Sequence, residues 1–318
     1  MKVSVVMVTL NASSFIRDAL DSLRGQSFRD FEIIIVDNGS TDGTIELLEK
    51  EYPEAKLIKN KENLGFPQAN NQGITLAKGE YILTLNPDVI LTPSFLAEMV
   101  KKADEAGGEY GMFAGKMLRF DGETIDSLGL ILSRARRFYD RGGGERDIGQ
   151  YDEPAEVFGV CAGAALYRRR MLEEIKYDGE YFDPSFFFLA EDFDISWRAQ
   201  LAGYRALYIP QAICYHMRGT SKAERQYFSF KNRYLLMIKN DSFKNILLHS
   251  PYIIPYDIAR FFFLLVTNRL LFKALSEIKK LLPELKEKRR FIKQRTKVSE
   301  GYIRSWLGRK EIPFRNGR

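Results

Sequence analysis

Cysteine, long apolar runs and nucleotide-loop motifs are what this 318-residue sequence has least of. Its two cysteines, Cys161 and Cys214, stand far apart and match neither a metal nor a redox spacing. They suit a reducing compartment, where buried free thiols are ordinary. The first apolar run carries one Lys and stops at Asn11, too soon for a signal peptide, and reads as a first strand. The most apolar region, residues 225–275, is interrupted by Asp257, Arg260 and Arg269 and by Pro251 and Pro255. No run approaches the about 18 uninterrupted apolar residues of a spanning helix, which leaves amphipathic packing on the body or on a bilayer surface. The absence of G-x-G-x-x-G and of G-x-x-x-x-G-K-[ST] argues against a dinucleotide dehydrogenase or a P-loop enzyme. There is no internal repeat, and no motif of a nucleic-acid fold.

A hydrophobic content of 45% fills the core of one large or two modest domains. Charge is unevenly spread. From Lys273 to Arg318 there are 15 Lys and Arg against 5 Glu, a net +10, so that of the overall +6 residues 1–272 carry −4. A basic tail on a mildly acidic body points to an anionic partner, membrane or nucleic acid.

Residues 3–8 and 31–36 are short runs rich in β-branched residues, as buried parallel strands should be. Between them Phe15, Ala19 and Leu23, with Ile16 and Leu20, form one helical stripe that ends at Gly25. A second helix follows Asp42-Gly43. Residues 55–58 read as a strand, 68–77 as a helix and 81–85 as the next strand. This βαβαβαβ order predicts an α/β fold, a parallel sheet with helices on both faces. Ligands of such sheets bind beyond the carboxyl ends of the strands, where three polar clusters fall: Thr9-Leu10-Asn11, residues 37–43 and Asn86-Pro87-Asp88. Each alone reads equally as turn chemistry; together on one rim they read as a site. Residues 134–145 are Gly-rich and charged, a cover for that site or a solvated excursion.

A second carboxylate cluster lies in "FFFLAEDFDISWRAQLAGY", residues 186–204. Phe193, Trp197 and Leu201 repeat every four residues, so a helix begins near Ala190 with Glu191 and Asp192 in its first turn. There the backbone N–H groups favour ionised carboxylates. Two readings stand: charge complementarity at a helix start, or a base kept deprotonated beside an aromatic wall from Tyr181 to Phe188. Asp194 and Arg198 read as an i,i+4 surface pair. His216, before Arg218-Gly219-Thr220-Ser221, is either a structural histidine or part of a divalent-metal site.

The order VSVVMVTLN, IIIVDNGSTDGT, ENLGFPQANNQG, YILTLNPDV, FFFLAEDFDISWRAQLAGY and YHMRGTS resembles glycosyltransferase family 2, the inverting enzymes of GT-A fold. It is most similar to the rhamnosyltransferase-like branch, over residues 3–221. The resemblance implies a Rossmann-like, mostly parallel sheet as the catalytic domain over 1–221. Residues 1–90 would be its nucleotide-binding half and 91–221 its acceptor-side half, with 222–318 a helical, basic, membrane-associating extension. It implies a donor pocket of Thr9, Asn11, Asp37, Asn38, Gly65, Asn70, Asn86 and Asp88. Asp37 would bond the base, and Asp88 would hold a divalent ion, Mg²⁺ or Mn²⁺, with His216. Asp192 would be the catalytic base and Glu191 its neighbour. Asn86 departs from the first Asp of the family's D-x-D, and Asn70 stands where many members carry Arg.

The implied partners are a dTDP- or UDP-sugar donor, dTDP-rhamnose by the branch, and a glycan or lipid-linked glycan acceptor. The implied place is the cytoplasmic face of the cell membrane, where residues 225–318 would meet an anionic surface, with no nucleic-acid partner. Two rivals remain. A sugar nucleotidyltransferase normally opens with a Gly-rich basic loop, absent after Val8. A non-catalytic binding module need not keep Asp37, Asp88, Asp192 and His216 together.

Overall fold

The computed structural model describes residues 1–217, 222–267 and 270–314; the 218–221 stretch after His216, and Arg269, lie outside them. The chain opens with β1 (Val3–Thr9), α1 (Ile16–Arg24), β2 (Phe31–Asp37), α2 (Thr44–Glu51), β3 (Lys56–Lys59), α3 (Phe66–Leu76) and β4 (Tyr81–Leu85). This is the βαβαβαβ order read from the sequence. Strand alternation sends Val5 and Met7 to the α1 face and Val6 to the α3 face. Ile16, Leu20 and Leu23 of α1 are fully buried there, each worth about 1.5–3 kcal/mol of transfer free energy. Parallel pairing sets Thr9 beside Asp37 and Met7 beside Leu85, so the carboxyl ends of β1, β2 and β4 share one rim.

The chain continues through β5 (Val89–Leu91), α4 (Phe95–Glu105), β6 (Tyr110–Arg119), β7 (Ile125–Ser127), β8 (Leu130–Leu132), β9 (Phe138–Asp140), β10 (Ala155–Val157), β11 (Ala164–Arg168), α5 (Arg169–Ile175), α6 (Glu191–Leu201) and β12 (Arg205–His216). It closes with α7 (Lys222–Asn240), α8 (Phe243–Leu248), α9 (Ser250–Thr267), α10 (Leu271–Arg295), α11 (Glu300–Trp306) and β13 (Ile312–Pro313). The main sheet runs β13-β10-β12-β6-β11-β4-β1-β2-β3. It is parallel from β3 to β4 and mixed beyond, because β11 inserts antiparallel between β4 and β6. The 134–145 stretch is no solvated excursion: it contains β9, and Arg136 and Arg141 are buried, Arg136 donating to Asp241 at 2.7 Å.

The later helices share a core with the body. Phe158, Phe186 and Trp197 pack in one cluster with Leu235 and Leu236 of α7, Leu285 and Ile292 of α10 and Trp306 of α11. Buried charges tie the same interface. Asp183 accepts from Lys239 at 2.5 Å and from Lys288 at 2.6 Å, while Asp194 meets Lys239 at 2.7 Å. Burying these ions is tolerable only because each is paired. The Asp194–Arg198 pair forms at 2.9 Å but is not on the surface: its side chains are 0% and 5% exposed. The α7 residues Lys239 and Asn240 close over Asp194.

Candidate active site

On the rim formed by the carboxyl ends of β1, β2 and β4, Asp37 is fully buried and organises the turn that follows β2. Its Oδ1 accepts the Gly39 and Ser40 backbone N–H groups at 3.0 and 2.8 Å, and its Oδ2 accepts the Thr9 hydroxyl at 2.9 Å and the Ser40 hydroxyl. Asn11, in the left-handed region at φ 51°, receives the Thr41 N–H on Oδ1 at 2.9 Å. Asn38 donates to Gly65 O at 3.3 Å, so five of the expected donor-pocket residues, Thr9, Asn11, Asp37, Asn38 and Gly65, form one connected loop system. Gly65 is needed for two reasons. Its φ is +85°, and a Cβ there would lie 2.7 Å from both the Phe187 ring and Phe187 O. Asn70 is separate from this system: its amide turns back to Phe66 O, and its Oδ1 is buried with no hydrogen-bond partner among the described residues.

The turn after β4 faces the end of β12. Antiparallel pairing of β5 with β12 places His216 across from Val89, and His216 Nε2 lies 3.4 Å from Asp88 Oδ1. The other ring nitrogen, Nδ1, is 2.8 Å from Asp126 Oδ2 on β7, a buried carboxylate that no sequence motif announces. Burial pulls the imidazole down, but Asp126 and then Asp88 outweigh it and lift it to about 9. Among the described residues no group of three or more His, Cys, Asp or Glu surrounds a common point. The donor set still fits a divalent ion. One carboxylate and one imidazole nitrogen, the latter oriented from behind by a carboxylate, match an ion that fills its other positions from diphosphate oxygens and water.

The Cys161-Ala162-Gly163 segment before β11 joins this turn to the carboxylate pair. Gly163 O accepts the Asn86 N–H at 2.8 Å, and a backbone hydrogen bond from Ala162 reaches Asp192. Asp192 is the second residue of α6, which follows Ala190 at φ +72°, and its Oδ1 accepts the Phe193 N–H at 2.8 Å. The helix start does not keep the pair ionised as the sequence implies. Burial, then the charge of Asp140, pushes Asp192 up to about 7 despite the N–H groups. Burial, then Asp192, pushes Glu191 up to about 8. Glu191 is buried with its Oε2 unpartnered among the described residues, whereas Asp192 keeps a partly exposed edge. Of the aromatic wall, Tyr181, Phe182 and Phe186 are core; only Phe187 and Phe188 reach solvent, Phe187 stacking on Phe228 at 5.6 Å.

A parallel α/β half continued through an antiparallel insertion into a mixed sheet is the fold of GT-A glycosyltransferases. Solved structures share it. The mannosyltransferase PcManGT of Pyrobaculum calidifontis, in complex with GDP-Man and Mn²⁺, superposes with a TM-score of 0.55 at 18% identity, over 95% of this chain and 84% of that one. Residues 1–349 of S. aureus TarS with UDP-GlcNAc give 0.54 at 17%, over 96% and 90%. At that identity the likeness is one of fold. The model of Glycosyl transferase family 2 matches residues 4–176, more than half of the chain, and the chain belongs to that family. It is 25% identical over 221 residues to glycosyltransferase GlyA of Streptococcus pneumoniae, covering 67% of this chain. It is 26% identical over 228 residues to the poly-beta-1,6-N-acetyl-D-glucosamine synthase of Staphylococcus epidermidis, again covering 67%. The chain spans 30% and 49% of the lengths of those two relatives.

Proposed function

We propose that the chain is an inverting, divalent-metal-dependent glycosyltransferase. It moves a sugar from a nucleoside-diphosphate donor to a glycan or lipid-linked glycan acceptor in cell-envelope polysaccharide synthesis. The observation that carries this reading is the link through Ala162 and Gly163 between Asp192 and the Asn86–Asp88 turn. That link supports a reading in which one segment holds both the proton acceptor and the metal-binding turn. The relatives and neighbours support a nucleotide-sugar donor, and the Asn-Pro-Asp turn favours dTDP-rhamnose among donors.

In this mechanism the loops around Asp37 and Gly65 hold the nucleotide. Asp88 and His216 would hold the ion, which when bound neutralises charge on the leaving diphosphate. Asp192, with its exposed edge toward the acceptor, takes the acceptor hydroxyl's proton as that oxygen attacks the anomeric carbon from the face opposite the diphosphate. One displacement inverts the centre, and no second nucleophile is required. Burial and then the neighbouring Asp192 push the Glu191 carboxyl up, which favours its neutral form beside the base. A thermal-shift screen of dTDP-, UDP- and GDP-sugars with Mn²⁺ tests the donor assignment. Metal-dependent stabilisation by at least one of them is expected, and stabilisation by none contradicts it.

The reading places the enzyme on an anionic membrane surface through α8, α9 and the start of α10. No helix among the described residues is long and apolar enough to cross a membrane. Yet Phe243, Leu247, Ile258, Phe262, Phe263 and Val266 are 54–86% exposed, an unusual concentration for a water-facing surface. Exposed Lys244, Lys273, Arg134 and Arg137 lie on or against these helices, and the acid of α9, Asp257, is paired with Arg233 at 2.5 Å. The rest of the basic tail contributes less than its +10 implies, because Lys288 is buried against Asp183 and Lys297 pairs with Glu174. Flotation with phosphatidylserine vesicles should show binding that weakens with salt and is lost in F262D/F263D; a full-length chain that never floats refutes this placement.

A further inference from the structure

The segment that delivers Glu191 and Asp192 is strained. Phe187 sits at φ 61°, ψ −52°, the centre of a tight turn closed by the Phe188 N–H on Phe186 O at 2.7 Å. Leu189 at φ 70° and Ala190 at φ 72° are also left-handed, so three non-glycine residues of the four before Glu191 occupy a region that side chains disfavour. Such a turn persists only where its surroundings hold it. The holder comes from α7. The fully buried Asn232 amide lies 3.0 Å from Phe186 O, 2.8 Å from Phe188 O and 2.5 Å from Leu189 O. Its neighbour Lys231 reaches Ser185 O at 3.3 Å. On the far side Phe187 O accepts the Phe66 N–H at 2.8 Å, beside the Gly65 loop of the donor rim.

We propose that Asn232 is a positioning residue of the catalytic centre, whose amide holds the left-handed turn that sets where Asp192 stands. The role in catalysis rests on the proposed transfer; the hold on the turn does not. Asn232 lies beyond residues 4–176, so the later helices supply part of the centre's geometry.

The test compares the full-length parent, Asn232→Ala and the double variant Asn232→Ala/Ala190→Gly, because glycine takes the left-handed conformation freely. Three measurements are made: hydrogen exchange across 183–192, turnover by nucleoside-diphosphate release, and Mn²⁺-dependent binding of the sugar nucleotide that the parent turns over fastest. In Asn232→Ala, exchange at 186–190 should rise at least tenfold while β1 and α1 stay unchanged. Turnover should fall 10- to 100-fold with donor affinity within twofold of the parent, and the glycine should restore several-fold of that turnover. Unchanged exchange at 186–190 overturns the proposal. So does faster exchange throughout the chain with turnover and affinity falling together, which marks a merely structural residue. A parent that releases no nucleoside diphosphate from dTDP-, UDP- or GDP-sugars defeats the transfer reading and the catalytic role with it; the exchange data still decide whether Asn232 holds the turn.

Discussion

Replacing Asp192 by Asn should silence transfer and, at pH 8, make the chain harder to unfold. The displacement of its carboxyl from 3.8 to about 7, caused by burial and then by Asp140, means that folding penalises the ionised form. At about 1.4 kcal/mol per pH unit, the penalty has a ceiling of about 4 kcal/mol. Asp192 keeps a partly exposed edge and lies beside Glu191, so we expect about 1–2 kcal/mol to be recovered, a rise in Tm of about 1.5–3 °C for a chain of this length. The sign follows from proton binding. Between about pH 4 and pH 7 the folded chain keeps a proton that the unfolded chain has lost, so this residue's penalty grows with pH and then levels off. The gain from Asp192→Asn should therefore be full at pH 8 and smaller at pH 5. The amide keeps an oxygen for the Phe193 N–H. Loss of a general base costs about 10²–10⁴ in turnover. Scanning fluorimetry at the two pH values, beside an assay of nucleoside-diphosphate release, reads both effects. A variant less stable than the parent at pH 8, or one within tenfold of its turnover, refutes the reasoning.

Asp88→Ala should weaken Mn²⁺-dependent donor binding far more than metal-free nucleoside binding in calorimetric titrations; equal losses would return Asp88 to a turn-forming role. Asp126→Asn, which disturbs the orientation of His216, should lower Mn²⁺ affinity about 10- to 100-fold by titration, and an unchanged affinity would remove Asp126 from the site. Gly65→Ala places a Cβ 2.7 Å from Phe187 O at a φ of +85°, so donor binding should fall at least tenfold with a stability loss of about 1–3 kcal/mol. Retained donor affinity would show that the Phe187 segment yields easily. Lys239→Met leaves Asp183 with Lys288 and Asp194 with Arg198, so urea denaturation should show a loss near the lower limit for a broken buried pair, about 3 kcal/mol. A loss under about 1 kcal/mol would mean that water reaches the network.

What the sequence made legible was local. The β-branched runs at 3–8, 31–36 and 81–85 carry their own period, and the polar clusters at their ends gather on one rim. Helix starts were less exact: α3 begins at Phe66, two residues before the expected Gln68, because Pro67 is well placed in a first turn. Facts set by distant packing could not be read. Asp194 and Arg198 have surface spacing but are buried because α7 lies across them. Asp126 belongs to no motif and reaches His216 only through the pairing of β6 with both β7 and β12. The helix-start argument for an ionised Asp192 fails for the same reason, since burial, invisible in a linear stretch, outweighs the N–H groups. The aromatic run from Tyr181 divides between core and surface on a turn whose left-handed residues carry no glycine signal.

The most direct test of the central claim is to identify the nucleotide released when the purified chain is incubated with dTDP-, UDP- and GDP-sugars, with Mn²⁺ or with chelator. Transfer to an acceptor, or slow transfer to water, releases nucleoside diphosphate from at least one donor only when the ion is present, and Asp192→Asn abolishes it. Pyrophosphate as the product, or donors left intact under every condition, contradicts the account.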